Sequence, residues 1–206
     1  SVLRPVQAPD LTRTVRTFTI RTSEGFVETF GPALVSTVAR TAPGVHLHFV
    51  AKQTKDGAAL RDGIVDLETG VIDDATRPEL QQAPLFDDRL VGVVRRGHPL
   101  GAARVTPKRY ASAGHIGVSR RSVDSGGVDD ALRQLGFERT LITSVSGFST
   151  AVALARGSDL VATVPERHTA ALRSGMRTST GTPDHVQSDS NTSTVRSSTW
   201  RRRATM

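Results

Sequence analysis

The feature that most constrains this chain is an alternation. Short extended apolar runs change places with short amphipathic stretches, twice over. "TFTIRTSEGFVETFGPALVSTVAR" (Thr17–Arg40) is the clearest case. Phe18 and Ile20 alternate with threonines, the pattern of a strand with one apolar face. Phe26, Phe30, Leu34 and Val38 then recur every four residues, which lines one face of a helix. Pro43-Gly44 stops that helix. "VHLHFV" (Val45–Val50) reads as a second strand. Asp56–Arg61 reads as a short helix capped by Asp56 and stopped by Gly63, and "IVDLETGVI" (Ile64–Ile72) as a third strand turning at Gly70. A β-α-β-α-β series with such short connections predicts a parallel sheet.

A second series follows. Strands are expected at Arg89–Arg96, His115–Ser119, Leu141–Val145 and Leu160–Pro165. Helices are expected at Pro107–Ala111, around Val128, Leu132 and Leu135, and at Phe148–Arg156. A turn is expected at Ser125-Gly126-Gly127, and Pro165 suits the first turn of a last helix running through Leu172. From Arg177 onward the pattern stops. Thirteen of the last 30 residues are Ser or Thr and only five are apolar, so this tail is expected to be irregular and disordered.

At 206 residues the chain is long enough to bury a core without staples, and having no cysteine it has no disulfide or thiolate chemistry. No apolar run approaches the ~18 residues of a membrane helix, and "SVLRPVQAPD" has no secretory pattern, so the cytoplasm is the expected location and no membrane partner is expected. The net charge of +7 invites a nucleic-acid reading. Its distribution does not support one: five arginines sit in the tail, and the rest of the excess is scattered without interleaved aromatics.

Several stretches, in order, resemble one family. They are "RTFTIRTSEGFVETFGPALV", "PLFDDRLVGVVRRGHPL", "GHIGVSRR" and "ALRQLGFERTLITSVSGFSTAVALARGSDLVATVPERH". Together they resemble the effector-binding domain of LysR-type transcriptional regulators over roughly residues 15–177. The resemblance implies an α/β fold of the type 2 periplasmic-binding-protein kind, with two subdomains joined by crossover strands around a cleft. Residues 1–14 would be a linker remnant, 15–92 the first subdomain, 93–170 the second, and 171–206 the return segment and aberrant tail. It further implies a small-molecule effector, a homodimer or a full-length tetramer, and DNA contact only through a helix-turn-helix domain with no counterpart in these residues.

Two departures stand out. Glu68 and Thr69 occupy strand positions where relatives carry small or apolar residues. After Arg177 the expected strand and terminal helix are replaced by "TSTGTPDHVQSDSNTSTVRSSTWRRRATM". A shift of reading frame in the parent gene would leave such a break, and re-translation would then restore an apolar strand and helix in another frame. With its cover altered, the first subdomain is expected to be weakly stable.

The strand-to-helix junctions are the candidate site. Thr22, Ser23 and Glu24 stand at the first, and Ser146, Phe148 and Ser149 at a similar one. Open α/β sheets bind ligands beyond the carboxyl ends of their strands, where helix N-termini favour anions. Helix capping alone would explain the same residues. The resemblance favours ligand contact, because both loops line the family's cleft. Gly70, Val71, Ser119, Arg120 and Thr163 end neighbouring strands and complete the set, with Arg120 suited to an effector carboxylate. His46 and His48 share a strand face without a third ligand, so no metal is expected. His98 and His115 read as structural. His168 and Asp159 with Ser146 or Ser149 lack a nucleophile elbow, and no cofactor fingerprint is present, so catalysis is not expected. A stand-alone solute-binding protein of a transport system is the alternative on the same fold.

Overall fold

Two five-stranded sheets build the molecule. The computed structural model of the chain describes residues 10–52, 58–71, 80–119, 127–179 and 192–198. The expected cap Asp56, the turn residues Ser125 and Gly126, and Arg120 lie outside them.

The first sheet takes β1 (Arg16–Thr22), β2 (Val45–Ala51), β3 (Leu67–Val71), β4 (Leu80–Asp87) and β10 (Thr192–Ser198), in the order β2-β1-β3-β10-β4. Strand β1 runs parallel to both β2 and β3. Helix α1 (Glu24–Thr41) makes the first crossover, and the short α2 (Ala58–Arg61) lies in the second. The chain then enters the second sheet, order β7-β6-β8-β5-β9. This contains β5 (Leu90–Val94), α3 (Pro107–Ala111), β6 (Gly114–Val118), α4 (Gly127–Gln134), β7 (Thr140–Val145), α5 (Phe148–Arg156), β8 (Leu160–Pro165) and β9 (Arg177–Ser179). The parallel pairs β6–β7 and β6–β8 repeat the plan of the first lobe.

Four expectations need correction. The tail is not irregular throughout, because Thr192–Ser198 form β10, antiparallel to β3 and β4. A slot between two strands offers unpaired backbone groups on both sides. The segment, with Thr192, Thr194 and Val195 as strand-forming residue types, fills it through its main chain. Strand β4 was not foreseen, since Pro84 and two glutamines mask it. It forms an edge of the sheet, where a proline costs no ladder bond. The chain changes sheet between Asp87 and Leu90, so residues 90–92 belong with the second lobe, and so does β9 beyond residue 170. Finally, the helix expected from Pro165 through Leu172 does not form. Turns lead to a 3-10 segment at Ala171–Arg173, tightened by the Thr169 hydroxyl donating to the Pro165 carbonyl at 2.6 Å.

The second lobe is packed on both faces of its sheet. Val91, Val93, Ile116, Val152 and Val164 meet on the α5 side. Leu100, Tyr110, Val128, Leu132 and Val161 meet on the side of α3 and α4. In the first lobe Ile20, Phe26, Leu60 and Val65 are buried, while the sheet carries charge inside it. Glu68 is 1% exposed. It accepts from Arg21 Nε at 2.8 Å and pairs with Lys52 Nζ at 2.5 Å. The Thr22 and Thr69 hydroxyls are 2.5 Å apart beside it. The packing problem that Glu68 and Thr69 posed is thus met by partners on the neighbouring strands.

The two lobes are fastened at Asp88, whose side chain is buried. Its Oδ1 accepts from Arg89 N and Arg167 N at 2.9 and 2.8 Å. Its Oδ2 accepts from His168 N at 3.0 Å and meets His168 Nδ1 at 2.9 Å. Burial pushes the Asp88 carboxyl up, but the His168 ring and the two backbone donors outweigh it and hold it below the ordinary range. The His168 ring packs against Phe26, Phe30 and Phe86. Thr29 Oγ1 donates to the His168 carbonyl at 2.8 Å, which ties α1 to the second lobe.

Candidate functional site

The two junctions face each other. A Cβ added to Gly147, at the start of α5, would lie 3.8 Å from Glu24 Oε2, at the start of α1. The junctions differ in their own chemistry. Ser23 is the N-cap of α1, and its Oγ accepts from Phe26 N at 3.3 Å, so capping accounts for it. At α5 the N-cap is Gly147 with no side-chain hydrogen bond, and Ser146 and Ser149 do not cap. Capping therefore does not explain the second cluster. The Glu24 carboxylate thus stands near the start of α5, the charge a helix N-terminus favours.

Beyond this contact the second lobe holds a cavity of about 190 Å³ at the carboxyl ends of β6, β7 and β8. Ser119, Phe148 and Thr163 line it, and all its lining residues come from the second lobe. Phe148 also packs against the core on the α5 side. Thr22 stands apart: its side chain is buried and its hydroxyl is taken by Thr69. Gly70 lies at the end of β3, where a Cβ would come 2.9 Å from Lys52 Nζ, and Val71 closes the strand opposite Ser193. Arg120, the expected carboxylate partner, lies outside the described residues.

The cavity wall contains a cation that the sequence reading missed. Arg139 lines it together with Asp129 and Ser144. Arg139 Nε and Nη2 donate to the two Asp129 carboxylate oxygens at 2.6 and 2.9 Å, a bidentate pair largely shielded from solvent. By its sequence position Asp129 is only an acid suited to the positive end of a helix. Its partner ten residues on comes from the loop before β7, and no periodicity announces such a pair. Behind the wall Tyr110 is 1% exposed, and its hydroxyl bonds the Thr163 hydroxyl. Burial raises the Tyr110 pKa, although the Thr163 hydrogen bond and the Arg139 charge oppose it. The His115 ring lies tilted against Tyr110 with ring centres 4.6 Å apart, its Nε2 is 2.8 Å from the Tyr110 carbonyl, and its Nδ1 has no hydrogen-bond partner among the described residues. Burial pushes its pKa down to about 4, so the imidazole is neutral and structural, as expected.

The other histidines sort as follows. His98 caps the 3-10 turn at Pro99–Ala102, its Nδ1 accepting from Leu100 N at 3.1 Å. His46 and His48 are exposed on β2, and among the described residues no group of three metal-ligating side chains assembles. His168 is committed to Asp88, not to a serine.

Comparison with known proteins decides the family. A model described as the LysR substrate binding domain matches residues 12–190, running past the point where the sequence resemblance stops. The chain belongs to this family. The HTH-type transcriptional activator NagR of Ralstonia sp is 30% identical over 159 residues, 74% of this chain and 50% of that protein. The chain spans about half the length of the curated relatives it matches. Among solved structures, the probable transcriptional regulator PA0477 from Pseudomonas aeruginosa superposes with a TM-score of 0.79 at 26% identity, covering 96% of this chain and 67% of that one. The BenM effector binding domain with its effector benzoate shares the fold, with a TM-score of 0.63 at 18% identity, covering 91% and 86%. The LysR substrate-binding domain is a ligand-sensing regulatory unit of transcription regulators, not an enzyme, and the periplasmic-binding-protein-like architecture stands on the same matches. A transport role finds no support among these relatives, which are regulators.

Proposed function

We propose that this LysR substrate-binding domain senses a small organic acid, aromatic acids included, held between its two lobes. The observation that carries a two-walled site is the apposition of Glu24 and Gly147 across the space between the lobes, next to a cavity lined by Phe148, Thr163 and Arg139; the Glu24 carboxylate opposes a strongly anionic effector unless it turns away. Ser23, Glu24, Gly70 and Val71 would supply one wall. Ser119, Ser146, Phe148, Ser149 and Thr163 would supply the other, with Phe148 offering a ring to stack on. An effector that touches both walls favours one lobe orientation over others, and this population shift is the signal.

The signal leaves through a second copy of the domain. Val35 on α1, Ile142 on β7 and Leu154 on α5 are exposed apolar residues, and among the described residues β2 and β7 stand at sheet edges, which supports side-by-side pairing into a homodimer. DNA is reached in the full-length regulator, in the cytoplasm, through a segment outside these residues. Among the described residues no helix is long and apolar enough to cross a membrane.

Thermal unfolding with increasing benzoate, and then with a panel of other small carboxylic acids, tests the proposal. At least one acid should raise the midpoint in a concentration-dependent way, as any ligand selective for the folded state must. A flat response to the whole panel would rule out a preformed acid site.

A further inference from the structure

The first-lobe wall of the cleft contains a cation whose position is set by three contacts. Lys52 directly follows β2, and its backbone N–H donates to the Thr22 carbonyl at 3.2 Å, where β1 gives way to Ser23 and Glu24. Its Nζ pairs with Glu68 Oε1 at 2.5 Å, while Arg21 Nε donates to Glu68 Oε2 at 2.8 Å. Gly70 lies two residues beyond Glu68, on the same face of β3. A Cβ there would come within 2.9 Å of Lys52 Nζ, so the bare glycine gives the ammonium its room. Arg21 and Glu68 are buried, but the Lys52 side chain is 20% exposed. The buried pair thus anchors an ammonium that reaches the surface at the carboxyl ends of the strands, where sheets of this kind bind ligands.

We propose that Lys52 is a specificity-determining residue of the effector cleft: it receives the oxyanion of the effector at the first-lobe wall, and the apolar body of the effector lies toward Phe148. The inference rests on the reading of the cleft as the effector site and gives the bound acid a direction. Ile116, Val118, Leu141 and Phe148 supply apolar lining to the second-lobe cavity, which suits the uncharged end. Glu24, at the start of α1, disfavours an oxyanion beside it, so the charged end belongs at the β3 end of the wall, over Gly70. The second lobe offers a competing cation in Arg139, but Asp129 grips it through a bidentate fork. Lys52 meets Glu68 through one oxygen, and the other goes to Arg21. A single contact is weaker than a fork, so this ammonium turns more readily toward an incoming oxyanion. With three rotatable donors it can do so without leaving Glu68.

The test measures binding of sodium benzoate and of its uncharged isostere benzamide by calorimetry, on the unaltered domain and on Lys52→Met, Lys52→Arg and Gly70→Ala. The unaltered domain should prefer benzoate. Lys52→Met should lower the benzoate-to-benzamide preference by about tenfold, the size of one hydrogen bond to a charged group. Lys52→Arg, which keeps the cation, should retain most of the preference. Gly70→Ala leaves every charge in place and displaces only the flexible end of Lys52, so it should lower the preference in the same direction by less. A purely structural role for Lys52 would weaken both ligands alike and leave their ratio unchanged. An unchanged ratio in Lys52→Met or in Gly70→Ala overturns the assignment while leaving the effector site standing. If Lys52→Met fails to fold, Gly70→Ala decides alone. Should another small acid bind where benzoate does not, the same ratio is measured with that acid and its primary amide. If the unaltered domain binds no small acid, the effector reading and the Lys52 assignment both fall.

Discussion

The two lobes share a plan but not a way of holding together. In the second, both sheet faces are covered, and Val91, Val93, Leu132 and Val164 are fully removed from solvent. Its core is apolar, and its one large polar cluster sits beneath the cavity. In the first, α1 covers one face, where Phe30 packs on Phe86. The residues that share a side with Arg21 and Glu68, by strand register, include Thr17, Thr19, His46 and His48, a polar set. Its interior is organised by the Arg21–Glu68–Lys52 pairing as much as by hydrocarbon. A hydrophobic core that loses one group keeps a cavity that closes only in part, whereas a buried charge cluster that loses one partner also leaves charge uncompensated. The lobe expected to be weaker therefore depends on the more brittle device.

The largest effect should come from Glu68→Ala, which removes a buried partner of Arg21 and Lys52 at a cost of about 3–5 kcal/mol. Hydrogen exchange should rise in β1, β2 and β3 and stay near its original level in β6 and β8. Next comes Leu132→Ala, expected to cost about 3 kcal/mol through a cavity in the packed lobe, with faster exchange in α4 and β6 and little change in β1. If either substitution loosens both lobes equally, they unfold as one unit and the contrast breaks. The smallest effect is a pH dependence. His115 has its folded pKa lowered from 6.5 to about 4, so the unfolded chain binds the extra proton first. Stability from this residue is complete above pH 6.5 and is lost as pH falls toward about 4. Asp88, lowered from 3.8, adds its own loss only below that value. Melting temperatures at pH 7 and pH 5 should differ less in His115→Gln than in the unaltered domain, and an equal difference would remove His115 as the cause.

The second lobe was the more legible in the sequence, for a physical reason. Strands buried on both faces, such as "LVATVP", are continuous apolar runs, and α5 has an uninterrupted apolar face closed by Gly157. The first lobe misled where main-chain demand outweighed side-chain pattern. Strand β4 carries Pro84 at a sheet edge, and β10 is drawn into a slot by its backbone, so neither shows the expected period. The site divides in the same way. Ser119 follows the end of β6, Phe148 opens α5 after β7 and Thr163 lies in the second half of β8, places that the strand-helix alternation marks in the sequence. Arg139 and Tyr110 are not so marked, because their roles arise from contacts among a loop, a short helix and β8 that are far apart in sequence.

The central claim is that one small acid touches both lobes at once. Amide chemical shifts followed during a benzoate titration test it most directly. The account predicts that Ser23–Phe26 and Ser146–Ser149 move together along a single binding curve. Movement confined to one of these segments, or none at saturation, would contradict it.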